Sequence, residues 1–221
     1  MKDIFFKQAT DTVVLHNFMS AMGSGCTRCT LSDGKCDPIV YRGNPEADIL
    51  LVGEAPGKVE QEKGKPFVGP AGKLLDNIML SIGLDTNKDM CITNSVYCRP
   101  TAPYLSGKQN YTPKQEQLEK CQPFVKSFAY IVRPKVIIAC GRTALSQISG
   151  DPDIRLGEHE GLWRYARWLP VKHNPPGATP MFVMTHPAAI LHMGKDPEAQ
   201  TEKKKQVWKY MQEFRDSWKE R

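Results

Sequence analysis

Between residues 53 and 72 the chain reads GEAPGKVEQEKGKPFVGPAG. Three carboxylates stand there, of which Glu54 and Glu60 are the candidates for chemistry, among Gly53, Gly57, Gly64, Gly69 and Gly72, with one aromatic, Phe67. A carboxylate can position or activate water, or stabilise a cationic centre. Glycine carries no side chain, so its N–H can approach a phosphate or a base edge closely. Gly69-Pro70-Ala71-Gly72 leads into a helical pattern whose N-terminus favours an anion. Farther on come Asn94, with a donor and an acceptor on one side chain, and His186, a donor for developing negative charge.

Cysteines are a second source of chemistry. The chain has 7, an odd number. Disulfides are disfavoured in a reducing compartment, so ligation of a metal or cluster is the better use. Cys26 and Cys29 form a C-x-x-C pair, and Cys98 and Cys121 follow at a distance. Four thiolates suit zinc and an iron–sulfur cluster equally, and spacing does not separate them. Cys36 is an alternative for one of the four. Cys91 and Cys140 lie in strand-like runs and read as small core residues.

These groups need strands and helices to hold them. ADILLVGEA (47–55), MCITNSVYC (90–98), KVIIACG (135–141) and MFVMTHP (181–187) read as four buried strands. AGKLLDNIMLSIGL (71–84) carries an apolar helical stripe, as does 201–220 with Val207, Met211, Phe214 and Trp218. Residues 111–132 read as a helix with Thr112 as N-cap and Gln115 closing a capping box, kinked or split at Pro123. Strand–helix alternation predicts an α/β three-layer sandwich with a central, mainly parallel four-stranded sheet. The expected organisation is one domain over 1–221, with an N-terminal extension over about residues 1–23. Parallel sheets bind ligands beyond the carboxyl ends of their strands, where Glu54, Asn94 and His186 all fall.

A net charge of +6 and a pI near 8.9 permit a nucleic-acid partner without demanding one. No apolar run reaches the roughly 18 residues of a membrane span, and the first residues do not read as a signal peptide. A cytoplasmic or nucleoid location is expected.

Taken in order, GNPEADILLVGEAPG, GKPFVGPAGKLL, TNSVYCRP, RPKVIIACG and THPAAIL resemble family 4 uracil-DNA glycosylases, the iron–sulfur type. The resemblance covers about residues 24–215. It implies excision of uracil from single- or double-stranded DNA by a monomeric, monofunctional enzyme that leaves an abasic site. It also implies a [4Fe–4S] cluster on Cys26, Cys29, Cys98 and Cys121 that ties down loops rather than doing redox chemistry. The flipped uracil would stack on Phe67 within a pocket built from Gly53, Ala55, Pro56 and Gly57. Asn94 would read its N3–H and O4, and His186 would donate to O2. Glu54 and Glu60 are the candidate acids for water and the cationic sugar. Related glycosylases place an Asp two residues beyond the position of Glu54, where this chain has Pro56. Gly69, Gly72, His192 and Lys195 would meet phosphates, and Ile190 or Leu191 would wedge into the gap left by the base. The rival expectation is the same fold holding uracil-containing or single-stranded DNA without turnover.

Overall fold

The computed structural model describes residues 2–23, 26–31, 37–101, 110–166, 179–194 and 196–220, with side chains from residue 13 onward. Loop 169–180 and the segment around APYLSGKQN fall largely outside the described residues, as do Cys36 and Lys195.

The sheet is built from β1 (Arg42–Gly43), β2 (Ile49–Gly53), β3 (Met90–Asn94), β4 (Val136–Cys140), β5 (Trp163–Ala166) and β6 (Thr179–Met184), in the order β1-β3-β2-β4-β6-β5. The four expected strands form its parallel interior. Two edge strands were not expected, and both run antiparallel to their neighbours. The sheet therefore has six strands, not four. β1 is two residues long, and β5, with WRYA, alternates too little to announce itself.

Every residue of β2 is buried because helices cover both faces. Leu50 and Val52 face one layer, with α1 (Lys2–Gly23), α4 (Gln115–Val132) and α5 (Arg142–Ser149). Ile49 and Leu51 face the other, with α3 (Pro70–Ser81) and α7 (Pro197–Ser217). The period of two in a strand converts one apolar run into two cores. The N-terminal extension is the helix α1, whose Phe18 ring lies 6.0 Å from that of Phe128 on α4.

α4 starts two residues later than the Thr112 cap implies. Lys114 is its N-cap, and Gln117 Oε1 accepts from the Lys114 N–H at 2.8 Å. The helix also continues through Pro123. Proline removes the bond to the carbonyl of Glu119, and both residues are exposed, so water can replace that bond. Cys91 and Cys140 are fully buried core residues, as expected.

A candidate base-binding site at the strand tips

Strand order reverses around β2, since β3 lies on one side of it and β4 on the other. Ligands of open α/β sheets sit at such a switch point. Gly53 pairs in register with Asn94, so the tips of β2 and β3 are neighbours. A side chain on Gly53 would collide with the Phe67 ring and come within 2.6 Å of Asn94 Oδ1. Glycine at 53 is thus what lets Phe67 and Asn94 share one place. Phe67 itself has φ 53°, a left-handed backbone rare for a bulky side chain. Strain of this kind persists where the surroundings impose it, often at a ligand site. The His186 ring lies 5.5 Å from that of Phe67. At β4, Gly141 has φ 92° and leaves only 2.9 Å between a would-be Cβ and His186 Cβ, so the two loops can touch. Phe67, Asn94 and His186 therefore converge as the sequence predicts.

A cleft of about 730 Å3 opens there, lined by Glu54, Ala55, Gly57, Glu60, Phe67 and His186 among others. Asn94 is 1 % exposed, yet neither Oδ1 nor Nδ2 has a partner among the described residues. A buried amide left unsatisfied costs on the order of 1–3 kcal/mol, unless a ligand completes it.

His186 caps α6 (Pro187–His192), its Nδ1 accepting from the Ala188 N–H at 3.2 Å. A ring nitrogen that accepts carries no proton, so the proton of the neutral ring sits on Nε2. Burial lowers the imidazole pKa to about 4; the negative charge of Glu60 opposes this, and His192 adds to it. At neutral pH the side chain is an uncharged Nε2–H donor.

The two carboxylates have different surroundings. Glu60, on the short helix α2 (Lys58–Lys63), accepts three backbone N–H groups: Val68 at 3.0 Å and Gly69 at 2.7 Å on Oε1, and Gly57 at 3.1 Å on Oε2. The anion at the start of α3 is thus internal, and the amides of Gly57 and Gly69 are already used. Gly69 is buried, and Gly72 packs against the Phe67 carbonyl, where a Cβ would overlap it. Both glycines shape the Phe67 loop from within rather than presenting a surface. Glu54 accepts from Thr143 Oγ1 at 2.6 Å through one oxygen and lines the cleft.

Pro56 is buried, whereas Ala55 is half-buried in the cleft wall. Ile190 is fully buried in the core, which removes it as a wedge and leaves Leu191, 38 % exposed at the rim beside His192. Lys195 lies outside the described residues.

Cys26, Cys29 and Cys121 are half-buried and outside any disulfide. Cys98 stands in a disulfide, and no group of three or more metal-ligating side chains is assembled among the described residues. The thiols are nonetheless within electrostatic reach. Burial pushes the Cys121 thiol up to about 12; a bond to the Tyr97 backbone opposes this, and Cys29 and Cys26 add to it. Sulfur anions that disfavour one another suit a site with a cation between them.

Sequence reasoning missed Thr143, Gly141 and Asn110. Asn110 lines the cleft, and its Oδ1 accepts from Arg99 Nε at 2.6 Å. The signal for the first two was their place directly after β4, at the switch point. Asn110 gave no signal, because its position depends on an arginine 11 residues earlier in the chain.

The model of the uracil DNA glycosylase superfamily matches residues 40–214. A type-4 uracil-DNA glycosylase of Archaeoglobus fulgidus is 36% identical over 172 residues, 76% of this chain and 78% of that protein. One of Pyrobaculum aerophilum is 33% identical over 169 residues, 75% and 79% of the two chains. One of Thermotoga maritima is 39% identical over 121 residues, 55% and 59% of the two chains. The matched span contains all six strands and every wall of the cleft, and the chain belongs to the uracil-DNA glycosylase superfamily.

Proposed function

We infer that this chain hydrolyses the N-glycosidic bond of uracil in DNA and leaves an abasic site. The observation that carries the reading is the buried, unpartnered Asn94 amide beside Phe67 and His186. Uracil offers what the amide lacks. Its N3–H meets Oδ1 and its O4 meets Nδ2, whereas cytosine presents an amino group where O4 would be. Flipping costs a few kcal/mol, offset by these bonds and by stacking on Phe67.

As the C1′–N1 bond breaks, negative charge grows on the base and positive charge on the sugar. The Nε2–H of His186 donates to O2, a contribution on the order of 3 kcal/mol. Glu54 holds the water that attacks C1′ and faces the cationic sugar. Glu60 acts by fixing the Phe67 loop rather than by touching water. Leu191 fills the gap in the stack, and His192 and Lys195 meet phosphates.

Cys26, Cys29, Cys98 and Cys121, as thiolates, are the ligand set that would hold a [4Fe–4S] cluster. Four soft thiolates fit it, and the cluster would supply a covalent tie between the N-terminal segment, the end of β3 and α4. Action on DNA fits a cytoplasmic, nucleoid-associated enzyme working as a monomer on single- or double-stranded substrate.

Incubation with a uracil-containing oligonucleotide followed by alkali tests the activity. Strand scission only after alkali is expected. Bound DNA without scission at any salt concentration would leave a binding protein in its place.

A further inference from the structure

Glu54 is held by one side chain. Thr143 Oγ1 donates to its Oε2 at 2.6 Å, and Thr143 is only 8 % exposed. The other oxygen, Oε1, has no hydrogen-bond partner among the described residues and belongs to a residue of the cleft wall. Thr143 is the second residue of α5, so the carboxylate is bonded from the first turn of that helix, the end that carries its positive dipole charge. Gly141, which begins that helix, is the residue whose missing side chain admits His186. One helix start therefore sets the distance between the carboxylate and the imidazole.

We propose that Thr143 is a positioning residue for the hydrolysis: it orients Glu54 so that the free Oε1 holds the attacking water. This rests on the uracil-excising reading above. In the step, water oxygen forms a bond to C1′ as the C1′–N1 electron pair leaves with the base. The proton lost by water passes to Glu54 Oε1 and then to solvent or to the uracil anion, which departs neutral. Thr143 takes no proton; its hydroxyl keeps Oε2 occupied, so that only Oε1 faces the water.

The test is single-turnover uracil excision by Thr143→Val, Thr143→Ser, Glu54→Gln and the Thr143→Val/Glu54→Gln double variant, with DNA affinity measured in parallel. Valine keeps the shape and drops the hydroxyl, and Thr143→Ala serves the same comparison if valine does not fit. Loss of a hydrogen bond to a charged group predicts excision slower by about ten- to a hundredfold, with DNA affinity unchanged within about twofold. Serine restores the rate. In the Glu54→Gln background the valine adds nothing, because Thr143 acts only through Glu54. Wild-type excision by Thr143→Val, or its full additional loss in the Glu54→Gln background, overturns the proposal. Either result leaves the uracil-excising reading intact, which falls instead if the unmodified protein releases no uracil.

Discussion

The base cleft and the thiol corner are held together by different means. In the cleft, backbone geometry alone brings the parts together. Gly53 admits Phe67 and Asn94, Gly141 admits His186, and Glu60 fastens three amides of the loop. In the thiol corner the protein gathers Cys26, Cys29 and Cys121, while Cys98 is paired elsewhere and no ligating set is closed among the described residues. The first region is built from residues next to one another at the strand tips; the second draws its thiols from segments far apart in the chain. A site that must act on a fleeting charge gains from rigidity, whereas thiols from separate segments suit a site that ties those segments together.

Four perturbations sharpen that contrast. The largest effect is expected from His186→Ala, which removes the Nε2–H donor proposed for O2. Excision should slow by a hundredfold or more, about what one lost donor at a developing anion costs, with DNA affinity nearly unchanged; equal losses in both would make His186 a binding or folding residue. Next, Asn94→Asp places an ionised carboxylate where a donor to O4 is needed. Discrimination of uracil from cytosine should collapse, and parallel rates on the two substrates read this directly.

Glu60→Gln probes the fastening. A neutral amide cannot serve three N–H groups, since its own NH2 must face one of them. Stability should fall by about 1–3 kcal/mol, with kcat and KM both worsened, but less than for His186→Ala. A loss confined to kcat would return Glu60 to direct catalysis. In the thiol corner, Cys121→Ser should abolish the brown iron–sulfur absorbance and lower the melting temperature, yet leave the fold of the cleft recognisable by circular dichroism.

A separate effect is on pH dependence. His186 stays neutral in the folded chain down to about pH 4, against an ordinary value of 6.5 when exposed. Between those values the unfolded chain binds more protons, so stability is full above 6.5 and falls as the pH drops toward 4, by on the order of 3 kcal/mol. Denaturant midpoints at pH 7 and 4.5 should diverge less in His186→Gln than in the unmodified protein.

Much of this was legible in the sequence. The apolar runs in 47–55, 90–98, 135–141 and 181–187 announce buried parallel strands, and their ends announce the site. Phe67, Asn94 and His186 could be named because each directly follows or ends a strand or lies in a glycine-rich turn. What could not be read was how the polar groups share partners. Glu54 and Glu60 look alike in sequence, and only three-dimensional proximity gives one a hydroxyl and the other three amides. Ile190 and Leu191 are adjacent and equally apolar, and the direction of a short helix decides which is core. The edge strands were missed because a two-residue pairing carries no period to detect.

The central claim is that the strand tips form one cup for an extruded uracil. A structure with DNA carrying a 2′-fluorinated deoxyuridine, whose electron-poor sugar resists cleavage, tests it most directly. The uracil ring should lie on Phe67, with N3 and O4 on the Asn94 amide and O2 at His186 Nε2. A base lodged elsewhere, with the Asn94 amide still unpartnered, would contradict it.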